Sequence, residues 1–180
     1  MNSPHLNQSI FLVGPMGSGK SAVGRRLAKD LQRQFIDSDD VIEERTGVDI
    51  PFIFEKEGEA GFRHREHEII GELTDLAAVV LATGGGAILH VESRRWLKSR
   101  GLVVYLHASV AQQLKRTRHG KERPLLNQGD TRQILDELMI EREPLYREIA
   151  DVVVKTDGRS VASVAGEVSQ KLETLTAAAN

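Results

Sequence analysis

A chain of 180 residues, 40% hydrophobic and 28% charged, has room for one globular domain, residues 1–180, and too little for two. Its formal net charge of −2 excludes a global basic field that would draw it to nucleic acid or an anionic membrane, so any polyanion must meet local positive charge. No cysteine occurs, which excludes disulfides and thiolate metal sites, and no run approaches the roughly 20 apolar residues of a membrane span; a cytosolic domain is expected.

Residues 1–8 are polar, carry no basic stretch before an apolar run, and read as a frayed tail rather than a secretory signal. Ser9 to Val13 is a short apolar run ending at Gly14, the mark of a buried parallel strand. Val23, Leu27 and Leu31 then recur at helical spacing. Phe35-Ile36 predicts a second strand, closed by the acidic cluster Asp37-Ser38-Asp39-Asp40. Two helices follow, the second from about Gly61 to Leu76 with Phe62, Ile69, Leu73 and Leu76 as its core stripe. Ala77 to Ala82 predicts a strand running into Thr83 and three glycines. A helix over Val91 to Arg100 leads to a strand over Leu102 to Leu106, and Ser109 is placed to cap the next helix. Residues 117–130 turn polar and basic, with glycines at 120 and 129, as in a mobile lid. A long helix from about Thr131 is expected to break or kink near Pro144. Val152 to Val154 predicts a fifth strand, Val161, Val164, Val168 and Leu172 a last helix, and 174–180 a tail. Strands alternating with helices predict an α/β sandwich built on a parallel sheet.

Gly14-Pro15-Met16-Gly17-Ser18-Gly19-Lys20-Ser21 is a full GxxxxGK[ST] pattern between a predicted strand and a predicted helix. Glycines let backbone N–H groups converge on phosphate oxygens, and the helix beginning near Lys20 turns its positive end to the same anion. The loop from Gly17, Ser18 and Gly19 through Ala22 is therefore a nucleoside triphosphate cradle. Lys20 serves the β- and γ-phosphates, and the Ser21 hydroxyl serves Mg²⁺. No strand ends in the aspartate usual in ATPases of this type, and Asp37 is the substitute metal partner. Strand alternation is expected to turn Asp37 and Asp39 to one side, with Asp39 or Asp40 capping the following helix. Gly84-Gly85-Gly86 offers bare backbone to a small ligand.

With Phe62-Arg63 followed by Glu66, Arg123-Pro-Leu-Leu126 and Arg142-Glu-Pro-Leu-Tyr146, these motifs stand in an order that resembles the shikimate kinase family from residue 14 to 146. The resemblance implies the P-loop kinase fold: a three-layer sandwich around a five-stranded parallel sheet, plus a lid. It implies transfer of the ATP γ-phosphoryl group to the 3-hydroxyl of shikimate by a monomer that binds neither nucleic acid nor membrane. Asp39 would hold the reacting hydroxyl, with Lys20 and the lid residue Arg123 as its catalytic companions. Arg63 and Arg142 would clamp the acceptor carboxylate, which a planar guanidinium pairs bidentately, while Gly84, Gly85 and Gly86 complete the pocket. Glu66, one turn from Arg63, would orient it. Arg116 and Arg159 would flank the adenine. A kinase of gluconate or of a nucleoside monophosphate is the competing enzyme reading, the latter poorly served by 4% aromatic content. A ligand-sensing module should have lost Lys20, Asp39 or Arg123, and this chain keeps all three. His64 and His67 share a helix face but have no third ligand in view and are assigned no metal.

Overall fold

In the computed structural model, which describes residues 8–118, 123–126 and 129–178, five strands form one sheet in the order β2-β3-β1-β4-β5. They are β1 (Ser9–Val13), β2 (Gln34–Asp37), β3 (Val79–Ala82), β4 (Gly101–His107) and β5 (Val152–Lys155), and every neighbouring pair is parallel. Parallel strands need crossovers, and α1 (Lys20–Asp30), α2 (Ser38–Thr46), α3 (Ile50–Leu73), α4 (Val91–Arg100), α5 (Val110–Thr117) and α6 (Thr131–Ile149) supply them, while α7 (Val161–Ala178) follows the last strand.

The sheet is apolar on both faces because helices cover both. Along β1, Phe11 and Val13 join a core with Phe62, Ile70 and Leu73 of α3, Leu97 of α4 and Tyr146 of α6. Ile10 and Leu12 join the opposite core, with Val23 and Leu27 of α1 and Val164, Val168 and Leu172 of α7. The three-layer sandwich expected from the sequence is the one observed.

Several boundaries differ from expectation. Helix α3 begins at Ile50, eleven residues before Gly61, and bends at Gly58, whose φ of 71° is non-helical. It ends at Leu73; Leu76 lies beyond it and is 43% exposed, outside the core stripe. Strand β3 starts at Val79, since Ala78 adopts a positive φ of 55°. Pro144 neither breaks nor interrupts α6, which runs through it. Helix α7 continues through the expected tail to Ala178, its Thr174 and Thr176 hydroxyls bonding back to Gln170 O and Leu172 O. Ser109 caps α5 as expected, accepting from Gln112 N at 3.2 Å. The tail expected at the N-terminus (1–7) and residues 119–122 and 127–128 of the expected lid fall outside the described residues; within that segment, Pro124–Leu126 forms a single 3₁₀ turn.

The topology matters for the site in one respect. Strands β2, β3 and β1 lie side by side and parallel, so the Asp37 end, the Thr83-Gly84 end and the Gly14 end emerge together on one edge of the sheet.

Candidate active site

The loop after β1 takes its shape from glycine. Gly14, Gly17 and Gly19 have φ of 148°, 75° and 88°, and a Cβ on Gly14 would overlap the Leu106 carbonyl. Gly19 occupies the N-cap of α1, and no side chain caps that helix. The first-turn N–H groups of Lys20, Ser21 and Ala22 are thus left for an anion, which is what a phosphate needs. Ser18 is buried at 1% exposure. The Lys20 ammonium donates to Gly14 O and Pro15 O, both at 2.8 Å, and so lies across the loop.

Asp37 ends β2 and caps α2. Its Oδ1 accepts from Asp39 N at 3.0 Å, and its Oδ2 accepts from the Ser21 hydroxyl at 2.5 Å. The cap is therefore Asp37, not Asp39 or Asp40. Asp39 sits in the first turn of a helix, so helical geometry rather than strand alternation aims its carboxylate into the cleft. Both carboxylates nonetheless line one open cleft of about 770 Å³, together with Ser21, Arg63, Glu66, Gly84, Gly85, Gly86, Arg123 and Arg142.

The side of this cleft that α3 forms is held by ion pairs. Arg63 donates from Nη1 to Glu66 Oε2 at 2.6 Å and from Nη2 to Glu59 Oε1 at 3.1 Å. Glu66 is buried at 2% exposure, and its second oxygen, Oε1, has no hydrogen-bond partner among the described residues. The same is true of Asp39 Oδ1. Both unpartnered oxygens converge on Gly84, where a Cβ would overlap Glu66 Oε1 and stand 2.9 Å from Asp39 Oδ1. Gly84 itself donates its N–H to the buried Ser38 hydroxyl at 3.0 Å. Arg142, 5% exposed on α6, keeps its Nε free of any hydrogen bond among the described residues and approaches Glu141 only at 3.8 Å.

Crowding sets the proton affinities. Burial first, then the Glu66 and Asp37 carboxylates, push the Asp39 carboxyl up to about 7, against the pull of Lys20 and Arg63. Burial likewise draws the Lys20 ammonium down to about 8, although Asp39 and Asp37 oppose it. Glu66 is also raised by burial, in spite of Arg63 beside it. Burial lowers the Arg123 guanidinium, which Asp39 partly restores.

The two arginines expected around the adenine part company. Arg116 donates to Gly17 O at 2.8 Å and to Thr156 O at 3.0 Å, tying the phosphate loop to the β5–α7 turn. Arg159 instead turns onto α7, where it bonds Ser163 and pairs with Glu167; neither arginine lines the cleft. His64 and His67 do not converge: His67 bonds Ser93 and stacks between His90 and Trp96, while His64 faces Glu68 at 3.5 Å.

Several contributions went unread in the sequence. Ser38, between the two aspartates, anchors Gly84. Glu59 holds Arg63, a partner legible only as an i,i+4 pair once the helix is known to extend N-terminally. Ile50, Pro51, Phe54 and Leu125 give the cleft an apolar wall.

Because the Arg63 guanidinium packs directly on Gly86, a Cβ there would overlap it. The clashing group is the end of a flexible side chain, so Gly86→Ala should fold normally and displace Arg63. A rise of about tenfold in the acceptor KM, with the MgATP KM within about twofold, is expected in steady-state kinetics. An unchanged acceptor KM would show that Arg63 is not needed where it stands.

A nucleotide-cradling loop at the head of a parallel β2-β3-β1-β4-β5 sheet, facing a cleft of arginines and carboxylates, defines a P-loop kinase. A gluconokinase from Sinorhizobium meliloti shares this fold at TM-score 0.63 and 21% identity, covering 96% of this chain and 95% of that one. The model of one family, shikimate kinase, matches residues 16–173, and the chain belongs to that family. It is 57% identical over 163 residues to a shikimate kinase of Francisella tularensis subsp. novicida, spanning 90% of this chain and 93% of the relative. Against a shikimate kinase of Vibrio cholerae it is 52% identical over 166 residues, 92% and 95% of the two chains. The structure of an Acinetobacter baumannii shikimate kinase in complex with shikimate superposes at TM-score 0.92, with 49% identity and coverage of 94% and 95%.

Proposed function

We propose that this shikimate kinase uses Asp39 to hold the 3-hydroxyl of shikimate in line with the γ-phosphoryl group of ATP lying on the loop from Gly17 to Ala22. The observation that carries the reading is the convergence of Asp39, Arg63, Arg142 and the glycines 84–86 on one cleft that also reaches Ser21. A hydroxylated carboxylate needs a cationic clamp at one end and a hydroxyl acceptor at the other, and this cleft offers both. Arg63 and Arg142 pair with the carboxylate; Glu66 and Glu59 keep Arg63 in register. As Asp39 Oδ1 has no other partner among the described residues, it is available to accept the hydroxyl proton. Lys20 leaves the loop carbonyls to meet the phosphate oxygens, and Arg123, on the lid, adds positive charge and helps exclude water as the phosphoryl group moves.

Mg²⁺ fits the donor set of Ser21 and Asp37, two hard oxygens 2.5 Å apart beside the loop, and a cation bound by few protein ligands also takes phosphate oxygens. When bound, it would neutralise charge on the β- and γ-phosphates. Arg116 supports the adenine from beside Gly17; Arg159 reaches the base only by leaving Glu167. We place the chain, which has no cysteine, in the reducing cytosol; we read it as a monomer.

ADP release from MgATP, measured with shikimate, gluconate or a nucleoside monophosphate, tests the reading. Turnover stimulated by shikimate alone is the expected result; equal stimulation by gluconate would overturn the acceptor assignment.

A further inference from the structure

Tyr146 closes the Arg142–Tyr146 motif, yet none of the roles described so far uses it. It stands one turn after Arg142, on the same face of α6, and is fully buried. Its hydroxyl donates to the Gly85 carbonyl at 2.5 Å. On the other side, Gly85 abuts the phosphate loop: a Cβ there would lie 3.5 Å from Met16 N and 3.6 Å from Gly14 O. One peptide is therefore held between the acceptor helix and the phosphate loop.

Three successive glycines have no side chains to restrict their backbone, so their conformation must be fixed from outside. A peptide group is planar, with its carbonyl oxygen and the next N–H pointing in opposite directions. Anchoring Gly85 O therefore fixes the direction of Gly86 N–H, in a segment that lines the acceptor cleft. We propose that Tyr146 is a positioning residue for the acceptor: its hydroxyl sets the Gly85–Gly86 peptide and locks it in register with Arg142 on the same helix. This rests on the shikimate kinase reading of the cleft.

The structure contains its own control. Tyr105 on β4 stacks against Tyr146 with ring centroids 5.0 Å apart and is equally buried, but its hydroxyl has no hydrogen-bond partner among the described residues. Burial raises the pKa of both phenols, so Tyr146 remains a protonated donor across the working pH range. The two rings supply packing; only one hydroxyl reaches the glycines.

Wild type, Tyr146→Phe and Tyr105→Phe should be compared by ADP release over a range of shikimate at saturating MgATP, by calorimetric titration of MgATP alone, and by thermal melting. Tyr146→Phe is expected to raise the shikimate KM about tenfold, with the MgATP dissociation constant within about twofold of wild type. Tyr105→Phe should leave the shikimate KM where it was. A wild-type KM in Tyr146→Phe, or equal shifts in both variants, would overturn the positioning role while leaving the kinase reading intact. Absence of shikimate-dependent turnover in the wild type itself would remove the kinase reading, and this inference with it.

Discussion

Asp39→Asn should lower turnover with shikimate by about 10²–10⁴-fold and leave MgATP binding nearly unchanged. The asparagine keeps the size of the side chain and can still meet a hydroxyl, but it cannot take the proton as the phosphoryl group arrives. The nucleotide loop is built elsewhere, from Gly14 to Ser21, and the carboxylate next to the Ser21 hydroxyl is Asp37. Equal loss of nucleotide binding would instead mean that Asp39 chiefly serves the metal.

The same substitution should stabilise the fold. The Asp39 carboxyl titrates at about 7 in the folded protein against 3.8 as a free group. Between those values the native state holds a proton that the unfolded state has released, so wild-type stability falls as pH rises through the window. Asparagine does not titrate. The melting temperature of Asp39→Asn minus that of wild type should therefore widen from pH 4 to pH 7 and level off above it. A difference that stays flat across that range would remove the case for a carboxyl destabilised by its site.

What the sequence revealed and what it hid follow from how local each feature is. Strand β1 and helix α4 were legible to the residue, because an apolar run bounded by Gly14, and a helical stretch bounded by Gly101, are local patterns. The phosphate loop was legible for the same reason. The first half of α3 was not: the left-handed turn at Gly58 shifts the apolar face, so no single 3.6-residue period spans Ile50–Leu73. Pro144 costs α6 only the one hydrogen bond that its missing N–H would have made, and packing of Met139, Tyr146 and Ile149 into the core maintains the helix through it. Alternating strands and helices imply a parallel sheet but not its strand order, which long-range pairing decides. In the site, residue types in family order pointed to Asp39, Arg63 and Arg142. Ser38 on Gly84 and Tyr146 on Gly85 were hidden, because a hydroxyl that bonds backbone 46 or 61 residues away leaves no periodic trace.

Arg142→Lys should raise the shikimate KM by roughly 10–100-fold, the cost of losing one charge-assisted hydrogen bond and its geometry, while the MgATP KM stays within about twofold. The two arginines of the proposed clamp are not equivalent. Arg63 already spends its guanidinium on Glu66 and Glu59, whereas Arg142 interacts with the Tyr146 hydroxyl, approaches Glu141 at 3.8 Å and keeps its Nε unpartnered among the described residues. An incoming carboxylate must compete with two acidic side chains for Arg63 but meets no carboxylate hydrogen-bonded to Arg142 among the described residues. Lysine keeps the positive charge and loses the planar fork, so the substitution separates bidentate pairing from simple charge. Arg63→Lys, made in parallel, should cost less. If Arg63→Lys proves the more damaging of the two, the carboxylate sits chiefly on α3, and Glu66 and Glu59 prepare Arg63 for it rather than compete with it.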